Sequence, residues 1–126
     1  MVVNANSKIV PLEAYKTQKG QSSVSGLSSG AFMAVQLHLA YSASFSGAGI
    51  IAGGPFRCAE SYRGAAALAE DAYIENSLYI CMNPLVPQTT PDAQRLADLA
   101  HETAKASQID AISNLAGDRG YPFTGS

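Results

Sequence analysis

Gly26-Leu27-Ser28-Ser29-Gly30 stands between a short extended stretch and an uninterrupted helical run, and its reading decides the fold. Val24, set among Ser22, Ser23 and Ser25, suits a strand over 21–25, and no helix breaker occurs over 31–41. A strand that becomes a helix within a few residues strains the backbone at the bend. Glycines two positions to either side are expected to remove side chains that would strike the neighbouring backbone. This is the shape of a nucleophile elbow, 26–30, which presents a serine hydroxyl above a sheet. Ser28 is the expected nucleophile.

The five-residue pattern alone carries little weight. With 11 glycines and many serines in 126 residues, it arises by chance about one time in ten. Its surroundings add the weight. The run 31–42 is apolar nearly all round, through Phe32, Met33, Val35, Leu37, Leu39 and Ala40, as in a helix buried between a sheet and an outer layer. Gly47-Ala48-Gly49-Ile50-Ile51 then suits a tightly packed buried strand over 46–52.

Two stretches, VSGLSSGAFMAVQLHLAYS (24–42) and GAGIIAGGPF (47–56), together resemble polyhydroxybutyrate depolymerases, most of all the circularly permuted kind with the nucleophile near the amino terminus. The likeness is densest over 22–60 and continues more loosely through Cys58, Cys81 and SNLAGDR (113–119). It implies an α/β-hydrolase fold, a Ser-Asp-His triad in that chain order, cleavage of poly(3-hydroxyalkanoate) esters or their oligomers, and no metal or cofactor. The compartment it implies is extracellular or periplasmic.

Length sets a limit on that implication. A complete α/β-hydrolase sheet needs roughly 200–250 residues, and this sequence has 126. The resemblance places the triad aspartate and histidine after the last expected strand, so the expectation is an amino-terminal portion of such an enzyme. The fold class expected is α/β: an incomplete α/β-hydrolase with a partial parallel sheet and flanking helices. A loose leader (1–19, with Ile9 and Val10 as a short edge strand) precedes the domain, 20–126. A long rim over 53–90 contains a helix at 64–72. A second strong helix covers 91–107, capped by Thr90 with Pro91 at its first position. Its stripe is Leu96, Leu99, Ala100, Thr103 and Ala104. The final strand, 120–124, is interrupted by Gly120 and Pro122, and proline cannot donate to a central ladder.

The residues present do not complete a triad. The sequence holds two histidines. His38 follows Ser28 by ten residues on one helix, about 15 Å away, and reads as a core or helix-surface residue. His101 sits mid-helix among Arg95, Asp98, Glu102 and Lys105 and reads as solvated. Asp110 and Asp118 read as turn or cap residues. Glu60, Glu70, Asp71 and Glu75 show no paired spacing for acid–base work. For the oxyanion hole, the elbow offers the backbone N–H of Ser29. The resemblance puts the second donor outside this sequence.

Cys58 and Cys81 either bridge or remain two buried thiols. A bridge contributes about 3–3.5 kcal/mol through loop entropy, suits an oxidising compartment, and agrees with the resemblance. No Cys-x-x-Cys or histidine cluster suggests a metal. A formal charge of −2 with no basic strip argues against nucleic acid, and no run is long enough to span a membrane. The first residues do not read as a secretory signal. Tyr41, Phe56, Tyr62, Tyr73 and Tyr79 are candidates for contact with polymer. Open sheet edges make self-association an expected hazard.

Two classes of function remain. One is a serine esterase acting on polyester or short-chain esters, with a feruloyl or acetyl-xylan esterase as the neighbouring alternative. The other is a non-catalytic product that folds partly or pairs with another polypeptide.

Overall fold

Three parallel strands form one sheet in the order β1–β2–β3: β1 is Ser22–Leu27, β2 Phe45–Ile51 and β3 Arg119–Phe123. The structure, a computed structural model, describes residues 11–61, 72–84 and 86–124. Helix α1 (Ser29–Ala40) connects β1 to β2. Between β2 and β3 come a 3₁₀ turn at Cys58–Glu60, a short helix α2 (Ala72–Asn76) running into a π-turn at Ser77–Met82, and helix α3 (Ala93–Lys105). The edge strand at Ile9 and Val10, and all but the end of the helix at 64–72, lie outside the described residues.

Residues partnered across a ladder point to the same face. Gly26, Ile50 and Pro122 therefore share one face, and Leu27, Ile51 and Phe123 the other. The first face is the one α1 covers: a Cβ on Gly26 would lie 2.2 Å from the Gly30 carbonyl carbon. Ile50 on this side joins Val35, Phe56 and Ala100 in the core, with Leu39, Ile109 and Ile112 around them. Among the described residues the second face is uncovered. Leu27 is 66% exposed and Phe123 54%. Among the described residues α1 buries Ala31, Ala34, Val35 and His38 on one side, and Met33 is exposed.

Helix α3 buries Leu96, Leu99, Ala100 and Thr103, the stripe the spacing predicts. Its cap differs from the expectation. Asp92 takes the N–H groups of Gln94 (2.9 Å) and Arg95 (3.1 Å), while the Thr90 hydroxyl donates to the Pro87 carbonyl at 2.6 Å. A carboxylate satisfies two orphan donors at once, and a threonine already committed to the preceding turn satisfies neither.

The interrupted sequence of β3 forms a strand after all. The Phe123 carbonyl accepts from Ala52 N–H at 2.8 Å. In a parallel strand, adjacent residues present their polar groups to opposite sides, so Pro122 faces the open edge, where a missing N–H costs nothing. Within the described residues β3 is an edge, not the central position against which proline argues.

Candidate active site

At Ser28 the backbone leaves β1 with φ 53° and ψ −120°, a region that non-glycine residues rarely occupy. Three hydrogen bonds fix the bend. Ser28 N–H donates to the Ile51 carbonyl (2.9 Å), and the Ser28 carbonyl accepts from Ala31 (2.9 Å) and Phe32 (3.0 Å). One bond ties the bend to β2, and the other two begin α1. Ser28 and Ser29 are exposed. β1 runs two residues further than expected, so the bend is sharper than a 26–30 loop.

The flanking glycines are not equivalent. On Gly26 a Cβ would fall within 2.6 Å of Gly30 and Ala31 backbone atoms, an overlap that nothing short of moving α1 relieves. On Gly30 a Cβ would meet no described atom within 4 Å. Collision therefore explains the first glycine only, and the symmetrical expectation is corrected. Gly53 and Gly54 close the other side of the bend: a Cβ on Gly53 would meet Ala31 at 2.6 Å, and on Gly54 the Phe32 ring at 2.2 Å.

Ser28 and Ser29 open onto a groove of about 390 Å³ whose walls include Phe32, Gln36, Arg57, Cys81 and Met82. The Ser29 N–H lies at the start of α1 and finds no acceptor among the described residues, so it is available to an anionic oxygen. The groove wall is tied down from several sides. Cys58 and Cys81 are joined by a disulfide with Cα atoms 6.0 Å apart. Asn76 donates to the Ala59 carbonyl at 2.8 Å, and Arg95 Nε to the Ser61 carbonyl at 2.9 Å.

Arg57 ties the wall to both long helices. It adopts a left-handed conformation (φ 52°), and its N–H donates to Gln36 Oε1 of α1 at 3.3 Å. Its guanidinium donates to Thr103 Oγ1 of α3 at 2.7 Å and forks onto the Glu60 carboxylate. The Glu60 bonds push its pKa up against partial burial, so the group remains charged. Sequence reasoning passed over this cluster, although Arg57 and Glu60 stand at a three-residue spacing that favours such pairs.

Neither histidine lines the groove. His38 is buried, with Nε2 2.8 Å from Asp118 Oδ2. Asp118 is thus more than a turn residue: it fastens the segment before β3 to α1. Eighty positions separate the pair, and no local pattern announces it. Asp110 accepts from Ala43 N–H (3.0 Å) and donates its own N–H to the Ala40 carbonyl (3.1 Å), closing the end of α1. His101 is exposed beside Asp98, Glu102 and Lys105. Of the aromatic candidates, Phe56 belongs to the core, Tyr41, Tyr73 and Tyr79 are exposed, and Tyr62 lies outside the described residues. Among the described residues no cluster of three metal-ligating side chains occurs, and no helix is long and apolar enough to cross a membrane.

Comparison with known proteins gives three relatives. A poly(3-hydroxybutyrate) depolymerase of Delftia acidovorans is 43% identical over 120 residues, 93% of this chain and 21% of the relative. A polyhydroxybutyrate depolymerase of Talaromyces funiculosus is 35% identical over 116 residues, 91% of this chain and 29% of the relative. A poly(3-hydroxyalkanoate) depolymerase C of Paucimonas lemoignei is 36% identical over 87 residues, 69% of this chain and 16% of the relative. No family model and no solved structure matches the chain. Along more than nine-tenths of its length, and across less than a third of theirs, the chain belongs by sequence with the polyhydroxybutyrate depolymerases.

Proposed function

We propose that this chain carries the nucleophile half of a serine esterase site for poly(3-hydroxyalkanoate) or short-chain hydroxyalkanoate esters, within part of an α/β-hydrolase fold. The observation that carries the reading is Ser28: an exposed hydroxyl on strained backbone between a parallel strand and a helix, opening onto a groove. The relatives' names supply the ester class. In the proposed reaction Ser28 Oγ bonds to the ester carbonyl carbon as its proton passes to a general base. The Ser29 N–H donates to the resulting oxyanion. The alcohol then leaves with the base's proton, and water releases the acid from the acyl-enzyme.

The base is the part that this chain does not supply. Both its histidines are committed elsewhere or lie away from the groove, so an imidazole from further polypeptide must complete the site. That same observation favours a second reading, in which the chain is inert alone and active only when completed. The disulfide supports an oxidising, extracytoplasmic location.

Added imidazole separates the esterase reading from a structural bend. A fluorophosphonate probe should label the wild-type chain slowly, faster with imidazole in the buffer, and Ser28→Ala in neither condition. Equal labelling of wild type and Ser28→Ala, with circular dichroism showing both folded, removes the nucleophile assignment.

A further inference from the structure

The groove beside Ser28 is held by two separate sets of contacts. The elbow is tied to β2 and α1 by the three backbone bonds at Ser28. Another part of the wall, formed by Ser77, Cys81 and Met82, belongs to the π-turn. Among the described elements, α2 and the π-turn make their extensive contacts with each other and with the 3₁₀ turn at Cys58–Glu60. That 3₁₀ turn is a fixed post. Arg57 just before it bonds to Gln36 of α1 and Thr103 of α3, and the Ser61 carbonyl just after it accepts from Arg95. Among the described residues, two side-chain links join the π-turn and α2 to this post: the Cys58–Cys81 disulfide and the Asn76–Ala59 hydrogen bond. Packing adds little, since Ile80 is buried but Tyr73, Ile74, Leu78, Tyr79 and Met82 are all exposed. The bridge is also within reach. Both its cysteines line the groove, and Cys81 is only half-buried.

We infer that the Cys58–Cys81 bridge is a redox-controlled determinant of chain preference at the ester site. Oxidised, it holds the π-turn in place, and the groove grips the chain that extends from the reacting carbonyl. Reduced, it frees that wall, so Ser28 keeps its reactivity and loses its grip on the chain. The inference rests on Ser28 being the nucleophile, as proposed above. The grip comes from Phe32, Pro55, Met82 and the bridge itself, an apolar lining. Each methylene that such a lining buries favours the bound state by up to about fourfold. Reduction is thiol–disulfide exchange with a small dithiol. One of its thiolates bonds to a protein sulfur as the S–S bond breaks, and the other cysteine leaves as a thiolate that takes up a proton. The second sulfur of the dithiol then displaces the first protein sulfur. Two electrons pass to the protein, and the reductant leaves as a cyclic disulfide. The same geometry acts in reverse: a chain seated in the groove covers the bridge and slows its reduction.

The test compares methyl and octyl fluorophosphonates with imidazole present, the phosphorus standing in for the ester carbonyl carbon. On the oxidised chain the octyl probe should label about tenfold faster than the methyl probe, or more. After dithiothreitol, with both cysteines titrating as free thiols, the methyl rate should hold and the octyl-to-methyl ratio should fall toward one. A second measurement starts from the oxidised fold. Chain already labelled with the octyl probe should lose its bridge to dithiothreitol several-fold more slowly than unlabelled chain. An unchanged ratio after reduction, as expected if other polypeptide pins the π-turn, overturns the inference and leaves the Ser28 assignment standing. So does equal reduction of labelled and unlabelled chain. A fall of both labelling rates together also overturns it, since the bridge would then support the elbow rather than the wall. Oxidised chain that neither probe labels removes the nucleophile reading itself, and the inference with it.

Discussion

The two ends of α1 are built on opposite terms. At its amino end Ser28 holds a positive φ, its hydroxyl exposed above a groove and the next N–H without a described acceptor. At its carboxyl end three polar groups find partners from distant segments: His38 with Asp118, the Ala40 carbonyl with the Asp110 N–H, and Ser42 with the Ala111 carbonyl. One end stores strain and leaves hydrogen-bonding capacity open, while the other spends its capacity holding the fold together. Strain of about 1–3 kcal/mol at a single residue persists only where surrounding contacts over-determine it. The three hydrogen bonds at Ser28, with the Gly26 and Gly53 contacts, are what keep the bend from relaxing.

The comparison breaks first at Gly26. Replacing it with alanine drives a methyl group into the backbone that starts α1. Overpacking typically costs about 1–3 kcal/mol and more where backbone must move, a large share of the stability of a domain this small. In urea titration, Gly26→Ala should lose most of its cooperative transition. A variant unfolding at the wild-type midpoint would mean that strand and helix do not meet as closely as described.

A smaller effect is expected at the satisfied end. His38→Ala removes the partner of a carboxylate that retains 15% side-chain exposure. Breaking a fully buried pair costs more, and residual hydration of Asp118 reduces the loss to about 2 kcal/mol. The effect should be directional as well as destabilising. Asp118 immediately precedes β3, so amide exchange at Tyr121 and Phe123 should quicken more than exchange in β1. Uniform quickening would show the pair to be a general prop rather than the fastening of β3. Ser28-dependent probe labelling should change little, since the pair lies at the far end of the helix.

The contrast also explains which parts were legible in the sequence. The strained end is built from consecutive residues, so a five-residue pattern with its flanking strand and helix suffices to place Ser28, α1 and β2. Helix α3 showed through its stripe, since burial on one side leaves a periodic trace. The satisfied end is made from partners brought together by the fold: His38 with Asp118, Arg57 with Thr103, Ala43 with Asp110. None of these leaves a local trace, so Asp118 read as a turn and Arg57 went unnoticed. The cap of α3 was misplaced by two residues because Thr90 and Asp92 are both competent caps, and only tertiary structure shows which is already engaged. The disulfide was foreseen as one of two options, whereas the π-turn that carries Cys81 had no sequence signal.

The smallest effect is the most diagnostic, because it has the opposite sign within the same motif. Gly30 lies in the first turn of α1, has no positive φ, and offers a Cβ nothing but open space among the described atoms. There alanine keeps the helix and lowers the entropy of the unfolded chain, so Gly30→Ala should stabilise by about 0.5–1 kcal/mol. A modest rise in denaturation midpoint, beside the collapse of Gly26→Ala, would establish that the motif's two glycines answer different demands, one steric and one not structural in this chain. If Gly30→Ala instead destabilises, the space above the elbow is occupied in solution, and the site is more nearly enclosed than the described residues make it. Stabilisation together with unchanged imidazole-assisted labelling would place Gly30 outside the approach to Ser28. Stabilisation with slowed labelling would place it on that approach, where a methyl group narrows the path to the hydroxyl.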